Sequence, residues 1–197
     1  CVDAVCSSTT STSPIADAGF NASIAVPPSG QPVIAYQNGT ELRIAYCADA
    51  HCSAATTKTL AQNPGGADET RIALGSGGRP VVLWSDDGST GLTVCTDAAC
   101  TSHVTRAMPD FSSIALAMGA DGFPLVAGHD NAQGTAVVVH CNDATCASFT
   151  TATVEASGDV GEYIAVAIGA DGLPVMSYRD TLNADLRVTK CTSRACQ

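Results

Sequence analysis

RIALGSGGRPVVLWSDDGSTGLTVCTDAAC, residues 71–100, decides the fold, because the chain carries this stretch in four altered copies. SIAVPPSGQPVIAYQNGTELRIAYCADAHC (23–52) precedes it, and SIALAMGADGFPLVAGHDNAQGTAVVVHCNDATC (113–146) and YIAVAIGADGLPVMSYRDTLNADLRVTKCTSRAC (163–196) follow. Every copy ends on two cysteines that enclose four residues. A Thr-rich stretch comes after the first three: SAATTKTL, TSHVTRAM and ASFTTATV. The cysteine pairs recur about every 46–50 residues, a period that, in units of short strands, marks the blade of a propeller.

Each unit reads as four strands. The first, marked by Ile24, Ile72, Ile114 and Ile164, is nearly continuous in apolar residues, as expected of a strand buried on both faces. The turns PPSGQP, GSGGRP, GADGFP and GADGLP then reverse the chain through Gly, Asp and Pro. The second strand opens at Pro32, Pro80, Pro124 and Pro174, where a missing amide donor does little harm. In the third, Leu42, Ile44 and Tyr46 face one side while Arg43 and Ala45 face the other, and Leu186, Val188 and Lys190 repeat the column. The Thr-rich strand is β-branched and polar, which suits a half-exposed outer edge. No segment shows apolar residues at helical spacing between caps.

All ten cysteines fall into pairs: Cys1/Cys6, Cys47/Cys52, Cys95/Cys100, Cys141/Cys146 and Cys191/Cys196. A zinc knuckle has tighter spacing and a second pair nearby, so local disulfides are the reading, and they imply an oxidising compartment. Each would close a short loop, contribute about 2 kcal/mol in the chain-entropy model, and staple the third strand to the fourth. With aromatics at 5% of the chain, the core must be built from Ala, Val, Ile and Leu. The 9 basic against 19 acidic residues give a formal charge of -10, which repels phosphate backbones and anionic lipid, so neither nucleic acid nor membrane is an expected partner. No apolar run reaches membrane-spanning length and no signal peptide opens the chain, so a processed, secreted, extracellular protein is expected. Asn21 and Asn38 head N-glycosylation sequons.

The units IAVAIGADGLPVMSYRD and LRVTKCTSRAC resemble repeats of secreted β-propeller proteins built from four-stranded blades. The resemblance covers essentially the whole chain and implies an all-β propeller, but no particular activity. The repeats do not end in the Trp-Asp of WD40 blades, and SDDGST (85–90) only approximates the sialidase Asp box. One domain, 1–197, of four blades of four antiparallel strands is expected: blade 1 at 20–61, blade 2 at 68–109, blade 3 at 111–155 and the inner strands of blade 4 at 161–197. The outer strand of blade 4 would come from the N-terminal segment 1–15, where SSTTSTS follows Cys6 as SAATTKTL follows Cys52; an O-glycosylated tail is the other reading of that run. Such a strand closes the ring within one chain, or completes a neighbour's blade in a head-to-tail oligomer or filament. The terminal pairing stays open between two local bonds and a Cys191–Cys6, Cys1–Cys196 exchange.

Few residues invite chemistry. His51, His103, His129 and His140 fall at four different blade positions, so no shared metal site is expected. Neither a serine nucleophile elbow nor a phosphate-cradling loop is present, so no catalytic residue, metal or cofactor is expected. Asn38, Asp86, Asp130 and Asp180 share one column at the end of the second strand. They fit turn-starting residues, or a ring that takes Ca²⁺ or a sugar hydroxyl. Two residues earlier stand Tyr36, Trp84, Gly128 and Tyr178, whose rings could pack between blades or stack on a pyranose. Tyr36, Trp84, Tyr178, Asp86, Asp130 and Asp180 are therefore the candidate ligand-binding residues. Arginines share no single column, which argues against a glycosidase or sialidase. The leading expectation is a non-enzymatic, self-assembling structural or interaction module; a lectin-like glycan binder comes second and a glycosidase-type enzyme third.

Overall fold

The computed structural model describes residues 9, 11–16, 19–62, 67–86 and 88–197. Among the described residues, fifteen strands form four antiparallel sheets. Blade 1 holds β1 (Phe20–Ala25), β2 (Val33–Asn38), β3 (Glu41–Cys47) and β4 (Ala55–Gln62) in sequential order. Blade 2 holds β5 (Ala67–Leu74), β6 (Pro80–Asp86), β7 (Ser89–Cys95) and β8 (His103–Met108). Blade 3 holds β9 (Ile114–Met118), β10 (Pro124–Asp130), β11 (Thr135–Cys141) and β12 (Phe149–Glu155). Blade 4 holds β13 (Val160–Ile168), β14 (Pro174–Asp180) and β15 (Asp185–Lys190). The inner strands pack in succession, β1 on β5, β5 on β9 and β9 on β13, which is the arrangement of a β-propeller.

Register corrects one column of the sequence alignment. Ile24 pairs with Ile34 and Ile72 with Val82, but the residues in the same place in blades 3 and 4 are Leu116, opposite Val126, and Val166, opposite Met176. Ile114 and Ile164 lie two positions earlier, buried at the blade junctions. The four turns are equal in length, so the two additional residues of blades 3 and 4 lie between the isoleucine and the turn, on the inner-strand side.

The clamp between third and fourth strands is one motif repeated. Disulfides join Cys47–Cys52, Cys95–Cys100, Cys141–Cys146 and Cys191–Cys196; Cys191 is thus bonded locally rather than exchanged with Cys6, and Cys1 and Cys6 lie outside the described residues. The second cysteine of each clamp is left-handed, with φ from 48° to 58°, a conformation that L residues avoid unless the loop is tied. Two ties hold it. The Cys100 amide donates to the Asp97 carbonyl (3.1 Å), while the Asp97 carboxylate accepts the Ala99 and Thr101 amides (2.9 and 3.2 Å). Asp49 and Asp143 repeat the pattern, and Ser193 Oγ accepts the Gln197 amide at 2.9 Å.

Blade order is fixed by a second repeated device. A polar side chain on each inner strand or at its start accepts a backbone amide of the next blade: Ser23 Oγ from Ile72 (3.1 Å), Glu69 Oε2 from Ile114 (3.2 Å) and Ser113 Oγ from Tyr163 (2.9 Å). Apolar side chains fill the space around these latches. Ala136 and Val138 of β11 are fully buried against Ile164, Met176 and Tyr178 of blade 4. Their counterparts on β15, Leu186 and Val188, are 78% and 67% exposed, and Ile24 on β1 is also open to solvent. The inner strand buried on both faces that was expected at Ile24 is therefore not found in blade 1, where no residue of β1 is buried.

The outer strand expected for blade 4 falls on residues 1–15, of which 1–8 and 10 lie outside the described residues. Thr9 and residues 11–15 form no strand. Thr12 Oγ1 instead lies within hydrogen-bond distance of the His51 and Cys52 carbonyls in blade 1, at 3.2 and 3.0 Å.

Candidate functional site

Trp84 and Tyr178 of the aromatic column pack between blades, while Tyr36 packs against Gly19 in the segment before β1. Tyr36 and Tyr178 are buried and Trp84 is half-buried. Trp84 Nε1 donates to Thr93 Oγ1 (3.3 Å), and its indole occupies the space a side chain at Gly91 would need. In blade 3 the ring comes from elsewhere: Gly128 leaves a slot that Phe111, from the preceding loop, fills. Sequence columns missed Phe111 because it lies outside the aligned copies.

The acidic column does turn chemistry at two positions. Asp130 Oδ1 accepts the Ala132 and Gln133 amides at 2.9 and 3.2 Å. Asp180 accepts the Asn183 amide (3.0 Å) and side chain (2.8 Å) and faces Arg187 Nε at 3.3 Å. These Asn183 hydrogen bonds, followed by the Arg187 charge, hold the Asp180 carboxyl below its ordinary range. Arg187 also pairs with Glu155 (2.7 Å), whose other oxygen accepts the Tyr178 hydroxyl at 2.7 Å. Burial is the main cause that pushes the Tyr178 hydroxyl above its ordinary pKa. Asp86 sits half-buried at the end of β6.

The inner-strand starts bring together residues that no column contains. Glu69 of β5 pairs with Arg71 (2.9 Å) while latching blade 3, and Glu162 of β13 pairs with Arg179 (3.4 Å). Next to Glu162, Tyr163 projects 76% exposed from a left-handed backbone (φ 53°). Its ring borders a shallow cavity of about 240 Å³ with Tyr178, Arg179, Asp185 and Leu186. The latches make this a continuous strip across three blades: Glu69 bonds the start of β9, and Ser113, one residue before β9, bonds Tyr163.

On the same strip Ser112, His129 and Asp159 meet. Ser112 Oγ is 3.1 Å from His129 Nδ1 and donates to Asn131 Oδ1 at 2.8 Å, and His129 Nε2 is 3.2 Å from Asp159 Oδ1. His129 is buried, whereas Ser112 and Asp159 reach solvent. His129 is the penultimate residue of β10.

A larger cavity, about 820 Å³, lies at the opposite end of blades 1 and 2, walled by Pro27, Pro28, Leu74 and Ala98 with Tyr46. Tyr46 is the one titrating side chain along its wall; burial, with Asp97 adding to it, pushes that phenol up to about 12. Among the described residues no three His, Cys, Asp or Glu side chains gather as a metal site.

No family model matches the chain, and no curated protein does. Solved structures do. A protein of unknown function from Dyadobacter fermentans matches with a TM-score of 0.66 at 11% identity, over 84% of this chain and 50% of that one. The exo-β-1,3-galactanase of Phanerochaete chrysosporium with bound β-1,3-galactotriose matches at 0.60 and 9% identity, over 89% and 47%. The virginiamycin B lyase of Staphylococcus aureus matches at 0.55 and 13%, over 90% and 57%. The chain thus spans about half the length of these neighbours, and at such identities the likeness is one of fold. It defines the class, a disulfide-clamped β-propeller. It also corrects the leading functional expectation, since several structures that resemble this chain are β-1,3-galactan-cleaving glycosidases. The self-assembling structural module is set aside on that finding, and the neighbours point toward an enzyme at the level of fold alone.

Proposed function

We propose that the protein acts on glycans as a glycosidase-type propeller, with Glu69 and Glu162 as its working carboxyls and Tyr163 as the stacking platform. The observation that carries this reading is the strip itself. Two glutamates, each with an arginine partner, flank β9 on neighbouring inner strands, beside an aromatic ring held out to solvent. Glycoside hydrolysis needs one carboxyl to protonate the leaving oxygen and a second to attack the sugar or activate water. Four disulfides among the described residues support action in an oxidising, secreted setting.

The neighbours' substrates make β-1,3-galactotriose the first compound to test. Release of galactose, measured by anion-exchange chromatography, is expected from the wild type and not from Glu162→Gln. Tyr163→Ala is expected to raise KM more than it lowers kcat. Absence of both hydrolysis and calorimetric binding across β-1,3-, β-1,4- and β-1,6-linked galacto- and gluco-oligosaccharides would overturn the reading.

A further inference from the structure

We propose that Ser112, His129 and Asp159 form a nucleophilic triad that hydrolyses acyl esters, a second chemistry that stands apart from the glycan reading. Three segments of two blades converge to make it: the loop before β9, β10, and the loop before β13. A serine becomes a nucleophile when a base within hydrogen-bond reach is itself oriented by a third group, and the distances of 3.1 Å from Ser112 Oγ to His129 Nδ1 and 3.2 Å from His129 Nε2 to Asp159 Oδ1 meet both requirements. With Nε2–H donated to Asp159, Nδ1 presents its lone pair to the serine. The two ring nitrogens are exchanged relative to the protease template, and such sites are recognised by geometry and role.

The backbone is built around this contact. His129 is locked to the serine segment by two main-chain bonds, its amide to the Ser113 carbonyl and its carbonyl from the Ser112 amide, both 3.1 Å. Gly161, at φ 116°, lets β13 pass so close that a Cβ there would stand 3.3 Å from the His129 Cα and Cβ. Asp159 itself is held left-handed at φ 53°, with its carbonyl accepting the Thr181 amide at 2.9 Å.

The Ser112 hydroxyl proton has two acceptors, His129 Nδ1 and Asn131 Oδ1, and rotation about Cβ–Oγ passes it from one to the other. In the proposed reaction Oγ attacks the ester carbonyl carbon and its proton moves to Nδ1. The tetrahedral intermediate collapses by breaking the bond to the alcohol oxygen, which leaves with the proton from Nδ1. Water then attacks the acyl-serine, gives one proton to Nδ1, and releases the acid as Oγ recovers that proton. Ser112 is exposed and Asp159 is 54% exposed amid polar neighbours, so the substrate class is a short acyl group on a polar alcohol.

The test uses a fluorophosphonate probe with peptide mapping, and turnover of p-nitrophenyl acetate. Neither contains sugar, so the result is separate from that of the glycan assays. A single adduct on Ser112 is expected in the wild type and none in Ser112→Ala. Asp159→Asn is expected to slow both labelling and turnover at least about tenfold. Asn131→Ala is expected to speed labelling, because it leaves the hydroxyl proton to His129, whereas a purely structural network would respond in the other direction or not at all. Near-ultraviolet circular dichroism checks that each variant is folded. No adduct on Ser112, or labelling at one rate in wild type, Asp159→Asn and Asn131→Ala, overturns the proposal.

Discussion

Replacing Gly128 by alanine tests how blade 3 solves a packing problem that the other blades solve differently. Gly128 occupies the register place of Tyr36, Trp84 and Tyr178, and a Cβ there would lie 2.3 Å from Phe111 Cγ and 2.5 and 2.7 Å from its two Cδ atoms. These separations are far inside van der Waals contact, so the ring must leave its slot. Phe111 is 2% exposed and packs among Leu83, Leu92, Ile114 and Val126. Expelling it forfeits part of the roughly 1.5–3 kcal/mol that burying a phenylalanine contributes and strains the neighbours, for a cost of about 2–3 kcal/mol. Phe111→Ala should cost about 3–5 kcal/mol on its own. In that background Gly128→Ala meets an empty slot, and because a glycine loses more freedom on folding than an alanine, the second change should be neutral or stabilising by about 0.5 kcal/mol. The cycle therefore predicts a coupling of about 2–3 kcal/mol, read from guanidinium unfolding followed by the fluorescence of Trp84, the one tryptophan of the chain. Costs that add to within about 0.5 kcal/mol would refute the reasoning.

Removing one clamp with Cys95→Ala and Cys100→Ala should lower stability by about 2 kcal/mol, or a melting temperature by about 5 °C for a domain of this size; an unchanged melting curve would mean that the Asp97 turn alone holds the loop. Acid should act through the same turns. Hydrogen bonding by the Thr145 side chain and then its amide lowers the Asp143 pKa to about 2, and Ser53 and Thr101 lower Asp49 and Asp97 in the same way. A carboxyl depressed in the folded state stabilises above its ordinary pKa of 3.8, and that contribution is lost as pH falls from there through about 2. Urea midpoints should drop between pH 4 and pH 2, and Asp143→Asn should flatten the drop.

What the sequence could reveal follows from what repeats. The clamps were readable because every blade needs the same left-handed cysteine, and in three blades an aspartate three residues earlier ties it. The strand columns were readable wherever burial repeats, and failed where it does not. Ile114 looks equivalent to Ile72 because both head an Ile-Ala-Leu run, yet the turn and its proline set the register and push Ile114 two places outward. Likewise, alignment put a glycine in the aromatic column of blade 3 without showing that Phe111 fills it. The strip was least legible. Glu69, Ser112, His129, Asp159 and Glu162 occupy unlike positions in different blades, and only the stacking of inner strands makes them neighbours. A search for equivalent residues discards such a site, since the ring's pseudo-symmetry organises its packing and not its chemistry.

Glu69 is where packing and chemistry can be separated. At the three blade junctions the latch acceptor is Ser23, Glu69 and Ser113, so a hydroxyl suffices for the structural task at two of them. The carboxylate at the third carries a charge that the latch does not require, together with an arginine partner at 2.9 Å. Glu69→Gln keeps an oxygen able to accept the Ile114 amide and removes the charge. A neutral hydrogen bond is worth about 1 kcal/mol and one to a charged group about 1.5–3 kcal/mol, so stability should fall by no more than about 1–2 kcal/mol. Hydrolysis of β-1,3-galactotriose should fall by a factor of about 100 or more if the carboxyl transfers a proton or attacks the sugar. Loss of stability alone, with galactose release intact, would reduce Glu69 to a latch and leave Glu162 without its partner. Loss of galactose release at unchanged stability would assign the charge to the chemistry, for which the other two junctions have no use.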